Sequence, residues 1–168
     1  LTAVLGLVAP SAAQQVTKES REEIKNFARV ETTVACAGAI TADAMPEIKK
    51  MGFVSVINLR EAQEPGADIE KQEAAAKAAG LRYYHVPFNG AKPDPKVADQ
   101  FIKVISSKDA APAFIHCASA NRASAMWLIK RLSVDRWEVD RAVAEAEALG
   151  LSNQALKQWA IEYARPDR

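Results

Sequence analysis

From residue 41 to residue 117 the chain alternates between two hydrophobic rhythms. One places apolar residues every three or four positions, as a helix with one buried face does. The other packs them into short unbroken runs, as a strand buried on both faces does. TADAMPEIKKMG has Thr41 as N-cap, Met45, Ile48 and Met51 at helical spacing, and Gly52 where the chain leaves the helix. FVSVINL, short and β-branched, then predicts a buried strand. The loop REAQEPGA leads to DIEKQEAAAKAAG, an Asp-capped, alanine-rich helix closed by Gly80, and RYYHVPF predicts the next strand. After the proline-rich loop NGAKPDP, the segment KVADQFIKVISSK is amphipathic through Val97, Phe101, Ile102, Val104 and Ile105, and PAFIHC is again a strand. From Ala123 to Ala164 the pattern is helical in three pieces, ASAMWLIKRL, WEVDRAVAEAEALG and NQALKQWAIEYA.

Ahead of this region, TKESREEIKNFARV carries a capping-box spacing, Ser20 with Glu23, before Ile24 and Phe27. It predicts a short helix, and ETTVACAGAI an edge strand. Alternating helices and apolar strands define an α/β fold with a central, mostly parallel sheet of four to five strands flanked by helices. Residues 16–168 are expected to form one domain.

Composition is that of an ordinary globular chain, 49% hydrophobic and 26% charged. Lysine and arginine (22) nearly cancel aspartate and glutamate (21), so the chain lacks the basic excess of a nucleic-acid binder and must catch any anion locally. The opening residues LTAVLGLVAPSAAQQ hold an apolar run followed by small residues, with Ser11 and Ala13 spaced as for signal cleavage. Residues 1–15 are therefore expected to be the remnant of an export signal, making the protein periplasmic or secreted. If the run is only a tail, it is cytoplasmic. The run is too short to span a bilayer. Two cysteines, Cys36 and Cys117, and two histidines have no zinc-like spacing, so no metal or organic cofactor is expected.

The chemistry concentrates in HCASANRAS, residues 116–124. A strand ends at Cys117, and a helix begins near Arg122. Between them the N–H groups of Ala118, Ser119, Ala120 and Asn121 can curl into a nest that favours an anion. The same field favours the thiolate of a cysteine placed there. Arg122 offers a planar fork for two oxygens of a bound oxyanion. An inert buried thiol beside a surface arginine is the alternative.

HCxxxxR after a strand, with GAIT, MGFVSVINLR and RYYHVPF upstream in order, resembles the cysteine-dependent phosphatases of the tyrosine and dual-specificity superfamily. More narrowly, it is similar to the bacterial phosphatase-like domains also found attached to β-lactamase-like hydrolases. The resemblance spans roughly Val30 to Leu132. It implies a dual-specificity-phosphatase-like fold that acts on a phosphorylated protein or small molecule without a cofactor. It also implies Cys117 as the nucleophile forming a phosphocysteine, and Arg122 as the ligand of the phosphoryl oxygens. The loop, with four residues between Cys117 and Arg122, is one shorter than in tyrosine phosphatases and has the length usual in rhodanese-type sulfurtransferases. Ala120 stands where relatives commonly have Gly, so a positive φ there would be strained. Ala123 replaces a common Ser or Thr, for which Ser124 or Ser119 could substitute.

The resemblance places a general acid on the loop after RYYHVPF, where Asn89 now stands. Asp94 is the expected acid, with Asp68 second, although Asp94 could equally cap the following helix. His116 is expected to orient the loop by a ring hydrogen bond. Arg60 is expected either to add charge at the substrate mouth or to pair with Glu61 or Glu64. His85 and Cys36 read as packing, and a Cys36–Cys117 disulfide would be an off-switch under oxidation. Trp127, Trp137 and Trp159 read as core. Two rival functions use the same loop: a sulfurtransferase with a Cys117 persulfide, and a silent phosphate-binding module.

Overall fold

A computed structural model describes residues 15–165. The export-signal segment lies outside the described residues, apart from its last position. Six strands form one sheet in the order β1-β2-β3-β6-β4-β5. They are β1 (Val16–Arg21), β2 (Ile24–Val30), β3 (Val34–Ala37), β4 (Ser55–Asn58), β5 (Arg82–His85) and β6 (Ala113–His116). The helices are α1 (Met45–Lys50), α2 (Ile69–Ala78), α3 (Pro95–Ile105), α4 (Asn121–Ser133), α5 (Val139–Ala148) and α6 (Gln154–Tyr163). β3, β6, β4 and β5 pair in parallel and form the predicted sheet, while β1 and β2 add an antiparallel hairpin to β3.

That hairpin replaces the predicted N-terminal helix, and it makes β3 an inner strand rather than an edge. The physical reason is a bulge. β1 pairs Glu19 with Phe27 and Arg21 with Ile24, so Lys25 and Asn26 together oppose Ser20. The extra residue turns both Ile24 and Phe27 toward the same side of the sheet, where they join one buried cluster. A three-residue apolar spacing inside a strand thereby imitates a helix.

Strand periodicity then sorts the core. Phe114, Val56, Ala35 and Ala37 pack under α1 and α2 with Met45, Ile48 and Phe53. Ile115, Cys117, Ile57, Val34 and Cys36 face α3 to α6. Phe114 stacks on Phe27 (5.9 Å) and meets Phe53 edge-on (5.7 Å). α4 is buried along nearly its whole length, including Trp127 and Leu128. Trp137 and Trp159 are partly buried against the same cluster. The carboxyl ends of all four parallel strands, and hence Cys117, open on one rim of the sheet.

Candidate active site

Cys117 follows β6 directly, and its N–H donates to Ala37 O (3.1 Å), so the strand pairing fixes where the sulfur begins. The residue is fully buried. Ala120 then takes a left-handed conformation, φ 76° and ψ −18°, which reverses the chain into α4 at Asn121. This is the strain expected for an alanine here, and a left-handed residue next to right-handed ones is how a nest of inward amides is made. Among the described residues no backbone carbonyl or side chain accepts from the N–H of Ala118 or Ser119.

The rest of the loop is held from three directions. Ala39 N–H donates to Ala118 O (3.1 Å), and Asn26 Nδ2 donates to Ser119 O (3.3 Å). Asn121 Oδ1 accepts from Ser152 N (2.8 Å) and Asn153 N (2.7 Å), tying the loop to the start of α6. Gly38 is required at the crossing point. A Cβ there would lie 2.9 Å from Ala118 O and 3.2 Å from Lys25 Cβ.

Arg122 lies beside the Cys117 sulfur, but its fork is directed differently from the sequence expectation. Nη1 donates to Glu64 Oε1 (2.6 Å) and Nη2 to Glu64 Oε2 (2.8 Å), and Nη1 also reaches Phe88 O (3.0 Å) and Leu59 O (3.3 Å). A guanidinium has two bidentate edges, one made by Nη1 and Nη2 and one by Nε and Nη2. Glu64 occupies the first and leaves the N–H groups of the second. Burial alone would lower the arginine's pKa, but the hydrogen bond with Glu64 and the interaction with Cys117 hold it above its usual value. Glu64 is pulled down to about 2, first by the Arg122 hydrogen bond, against the opposing effect of burial, with further help from the N–H of Glu61 and from Arg60. Sequence reasoning weighed Glu64 only as a partner of Arg60 and missed this clamp. The contact joins residues 58 apart, and nothing local marks it.

Arg60 does pair with Glu64 (3.2 Å) and is 5% exposed. Its remaining donors go to Gly66 O (2.9 Å) and Pro65 O (2.7 Å), so it braces the loop after β4 rather than presenting its fork at the mouth. A buried guanidinium needs acceptors, and these carbonyls are the nearest. His85, expected to be packing, donates from Nε2 to Arg60 O (2.8 Å).

His116 corrects another expectation. Both ring nitrogens are buried and neither makes a full hydrogen bond among the described residues; the ring's polar approach is to the backbone of Cys117, which raises its pKa against the effect of burial. Strand alternation directs it away from the Cys117 face, toward Phe114. Burial pushes its pKa down to about 3, helped by the charges of Arg60 and Arg122, and the ring is neutral. Ser124 is fully buried and donates to Leu149 O (3.0 Å). Cys36, whose thiol burial pushes up in pKa, pairs in register with Ile115, one row below Cys117 on the same face, and both thiols are free.

Of the expected acids, Asp94 accepts from Lys96 N (2.9 Å) as N-cap of α3 and is exposed. Asp68 precedes α2, also exposed. Asn89, where the acid of relatives would stand, donates from Nδ2 to Glu61 Oε2 (3.2 Å). The structure thus brings together Cys117, the loop amides, Arg122, Glu64 and, through Asn89, Glu61.

This strand order, with a cysteine closing the central parallel strand and an arginine in the helix after it, is the fold of the cysteine-based phosphatases. It is similar to the crystal structure of Pseudomonas aeruginosa TpbA, at 17% identity and TM-score 0.65, covering 92% of this chain and 91% of that one. It is also similar to the putative phosphatase nma1982 of Neisseria meningitidis, at 18% identity and TM-score 0.69, covering 87% and 100%. A third likeness is to the catalytic core of the PP-IP phosphatase SIW14 of Saccharomyces cerevisiae, at 15% identity and TM-score 0.66, covering 86% and 88%.

The chain belongs to the family described as the beta-lactamase hydrolase-like protein, phosphatase-like domain, which matches residues 26–134. A beta-lactamase hydrolase-like protein of Xylella fastidiosa strain Temecula1 is 30% identical over 140 residues, 79% of this chain and 32% of the relative. That of strain 9a5c is 31% identical over 121 residues, covering 70% and 26%. The chain therefore spans only about a quarter to a third of the length of these curated relatives. Among the described residues no helix is long and apolar enough to cross a membrane.

Proposed function

We propose that residues 16–168 are one phosphatase-like unit that hydrolyses phosphate monoesters through a phosphocysteine on Cys117. The observation that carries this reading is the arrangement of Arg122. Glu64 takes one edge of its guanidinium and leaves the other, with the loop amides, for the oxygens of a phosphoryl group beside the sulfur. The Cys117 thiolate attacks phosphorus, the P–O ester bond breaks, and the leaving oxygen takes a proton. Water then attacks the phosphocysteine, releasing inorganic phosphate and returning the thiolate. As the equatorial oxygens gain charge, the amides of Ala118, Ser119, Ala120 and Asn121 and the Arg122 edge stabilise them without having to reorganise. A related solved structure, of P. aeruginosa TpbA, holds pTyr, which supports a phosphorylated substrate for this loop too.

Two carboxyl groups compete to protonate the leaving oxygen. Asp94 is the best remaining candidate once Asn89 stands where the resemblance places the acid, and its capping bond to Lys96 stands against it. Glu61 is favoured because its carboxylate is hydrogen-bonded at Asn89 and its N–H is held by Glu64, the residue that clamps Arg122. A good leaving group needs no acid, whereas an alkyl phosphate does. Glu61→Gln should therefore slow alkyl phosphate hydrolysis far more than p-nitrophenyl phosphate hydrolysis, with Asp94→Asn moving neither. The reverse pattern returns the role to Asp94.

The function itself is tested by comparing p-nitrophenyl phosphate hydrolysis with sulfur transfer from thiosulfate to cyanide. Cys117→Ser is expected to lower hydrolysis more than about a thousandfold. Hydrolysis that survived the change would rule out the covalent mechanism. Sulfur transfer in place of hydrolysis would assign a Cys117 persulfide, and binding of phosphate without either reaction would leave a binding module.

A further inference from the structure

A cleft of about 780 Å³ runs beside the loop on its hairpin side, walled by β1 and β2, by Ser119 and Asn121, and by Gly150 and Ser152 ahead of α6. Three independent features set it apart. It is joined to the loop by backbone as well as by volume. Gly38 N–H donates to Lys25 O (2.7 Å), Lys25 N–H to Ala39 O (3.1 Å), and Ala39 N–H in turn to Ala118 O (3.1 Å). Its lining carries Lys18, Arg21 and Lys25 against the single carboxylate of Glu19. Arg21 is held by Glu19 and Glu47, and Glu19 is shared with Arg29. Lys18 and Lys25 are exposed, and among the described residues no carboxylate pairs with either ammonium. Finally, the bulge puts Asn26 at φ 49°, a left-handed conformation that is unusual for a residue other than glycine. Bulges next to sites re-aim side chains, and this one brings Asn26 to Ser119 O and Lys25 to the loop's flank.

We propose that this cleft is a substrate-recognition site. With the phosphoryl group held over Cys117, Lys25 and Lys18 take a second anionic group, phosphate or carboxylate, on the same substrate molecule. Lys25 is two strand positions from β6, which sets the separation of the two anions at about 10 Å. Lys18 shares its face of β1 with Ser20, the residue opposite Lys25, and two residues along the strand it extends the positive wall by about another 7 Å. One sign of charge along a low-dielectric cleft focuses the field on an incoming polyanion. The proposal rests on the phosphatase reading for the identity of the first anion.

Binding and turnover test it separately. On the Cys117→Ser background, hexane-1,6-diol bisphosphate is titrated against hexyl phosphate by calorimetry. In the otherwise unmodified chain, kcat/KM is compared for a phosphotyrosine peptide flanked by glutamates and its glutamine counterpart. The ligand with the second anion should be preferred about tenfold in at least one pair, and raising the salt should erode the preference. In the Lys18→Gln, Lys25→Gln double variant the ratio should fall below about threefold, and with Lys103→Gln, Lys108→Gln, the same charge change at exposed lysines outside the cleft, it should not fall. A preference in the diol pair alone identifies a small bisphosphate, and one in the peptide pair alone an acidic peptide. No preference in either pair, or one that survives in the double variant at unchanged melting temperature, overturns the proposal. If p-nitrophenyl phosphate is not hydrolysed but the bisphosphate preference is present and lysine-dependent, the phosphatase reading fails and the cleft stands.

Discussion

Ala120 holds φ 76° in a position where an L-residue pays about 1–2 kcal/mol for its Cβ. The loop keeps that conformation because its neighbours are bonded to three other parts of the chain. Ala120→Gly should raise stability by about 0.5–1 kcal/mol in urea unfolding, the relief being partly offset by the freer unfolded chain, and the variant should keep aryl phosphate turnover. A fall in stability would mean that the loop does not use this conformation in solution. The strain was legible in the sequence, as an alanine where relatives commonly have glycine. So were Cys117 and Arg122, because the strand, the loop and the helix that place them are contiguous. Glu64 was not, since its relation to Arg122 exists only after β4 and β6 have paired. Nor could the sequence reveal that the fork of Arg60 is consumed by Pro65 and Gly66.

The elements from α1 onward could be read from hydrophobic period, less so from caps, since Thr41 and Asp68, the expected caps of α1 and α2, make no side-chain capping bond. Asp94 caps α3, and Asn153 caps α6 by accepting from Leu156 N (3.0 Å). The N-terminal hairpin was misread because its bulge spaces Ile24 and Phe27 as a helix would, and because Ser20 and Glu23 match a capping box by type although Ser20 lies in β1 and Glu23 in the tight turn after it. The hairpin, β3 and the Cys117 loop meet at Gly38, which has no room for a side chain. Gly38→Ala should push Ala118 outward, lowering kcat/KM for an aryl phosphate by about ten- to a hundredfold, with a loss of about 1–3 kcal/mol in stability. Kinetics and urea unfolding on the same preparation separate the two effects. An unchanged kcat/KM would show that the loop does not depend on this crossing.

Across the whole molecule, acid is the condition most able to unmake the fold. His116 is held near a pKa of 3, below the unfolded value of about 6.5, so between those values the unfolded chain binds the extra proton. Stability from this group is complete above about pH 6.5 and declines as pH falls, by up to about 1.4 kcal/mol per pH unit. Glu64, at about 2 in the fold, contributes above its unfolded value of about 4.5, and that contribution is lost as pH falls from there toward 2. Urea unfolding at pH 7.5, 6 and 5 should therefore show a loss that is clearly smaller in His116→Asn. An unaltered slope would mean that the ring is not buried uncharged. The α/β class and the parallel sheet were legible at this scale, as repetition of one pattern. The sixfold strand count was not, since it depends on the hairpin.

The contacts that shape the loop also decide when it can exist. Ser119 is tied to Asn26, 93 residues earlier, Arg122 to Glu64, 58 residues earlier, and Asn121 to Ser152, 31 residues later. Contacts so distant in the chain form late, after loop closure has been paid for. A chain still emerging, or one clipped before α6, has the cysteine and the arginine but no ordered place for an anion between them, so on the proposed reading phosphate binding would report that folding has finished.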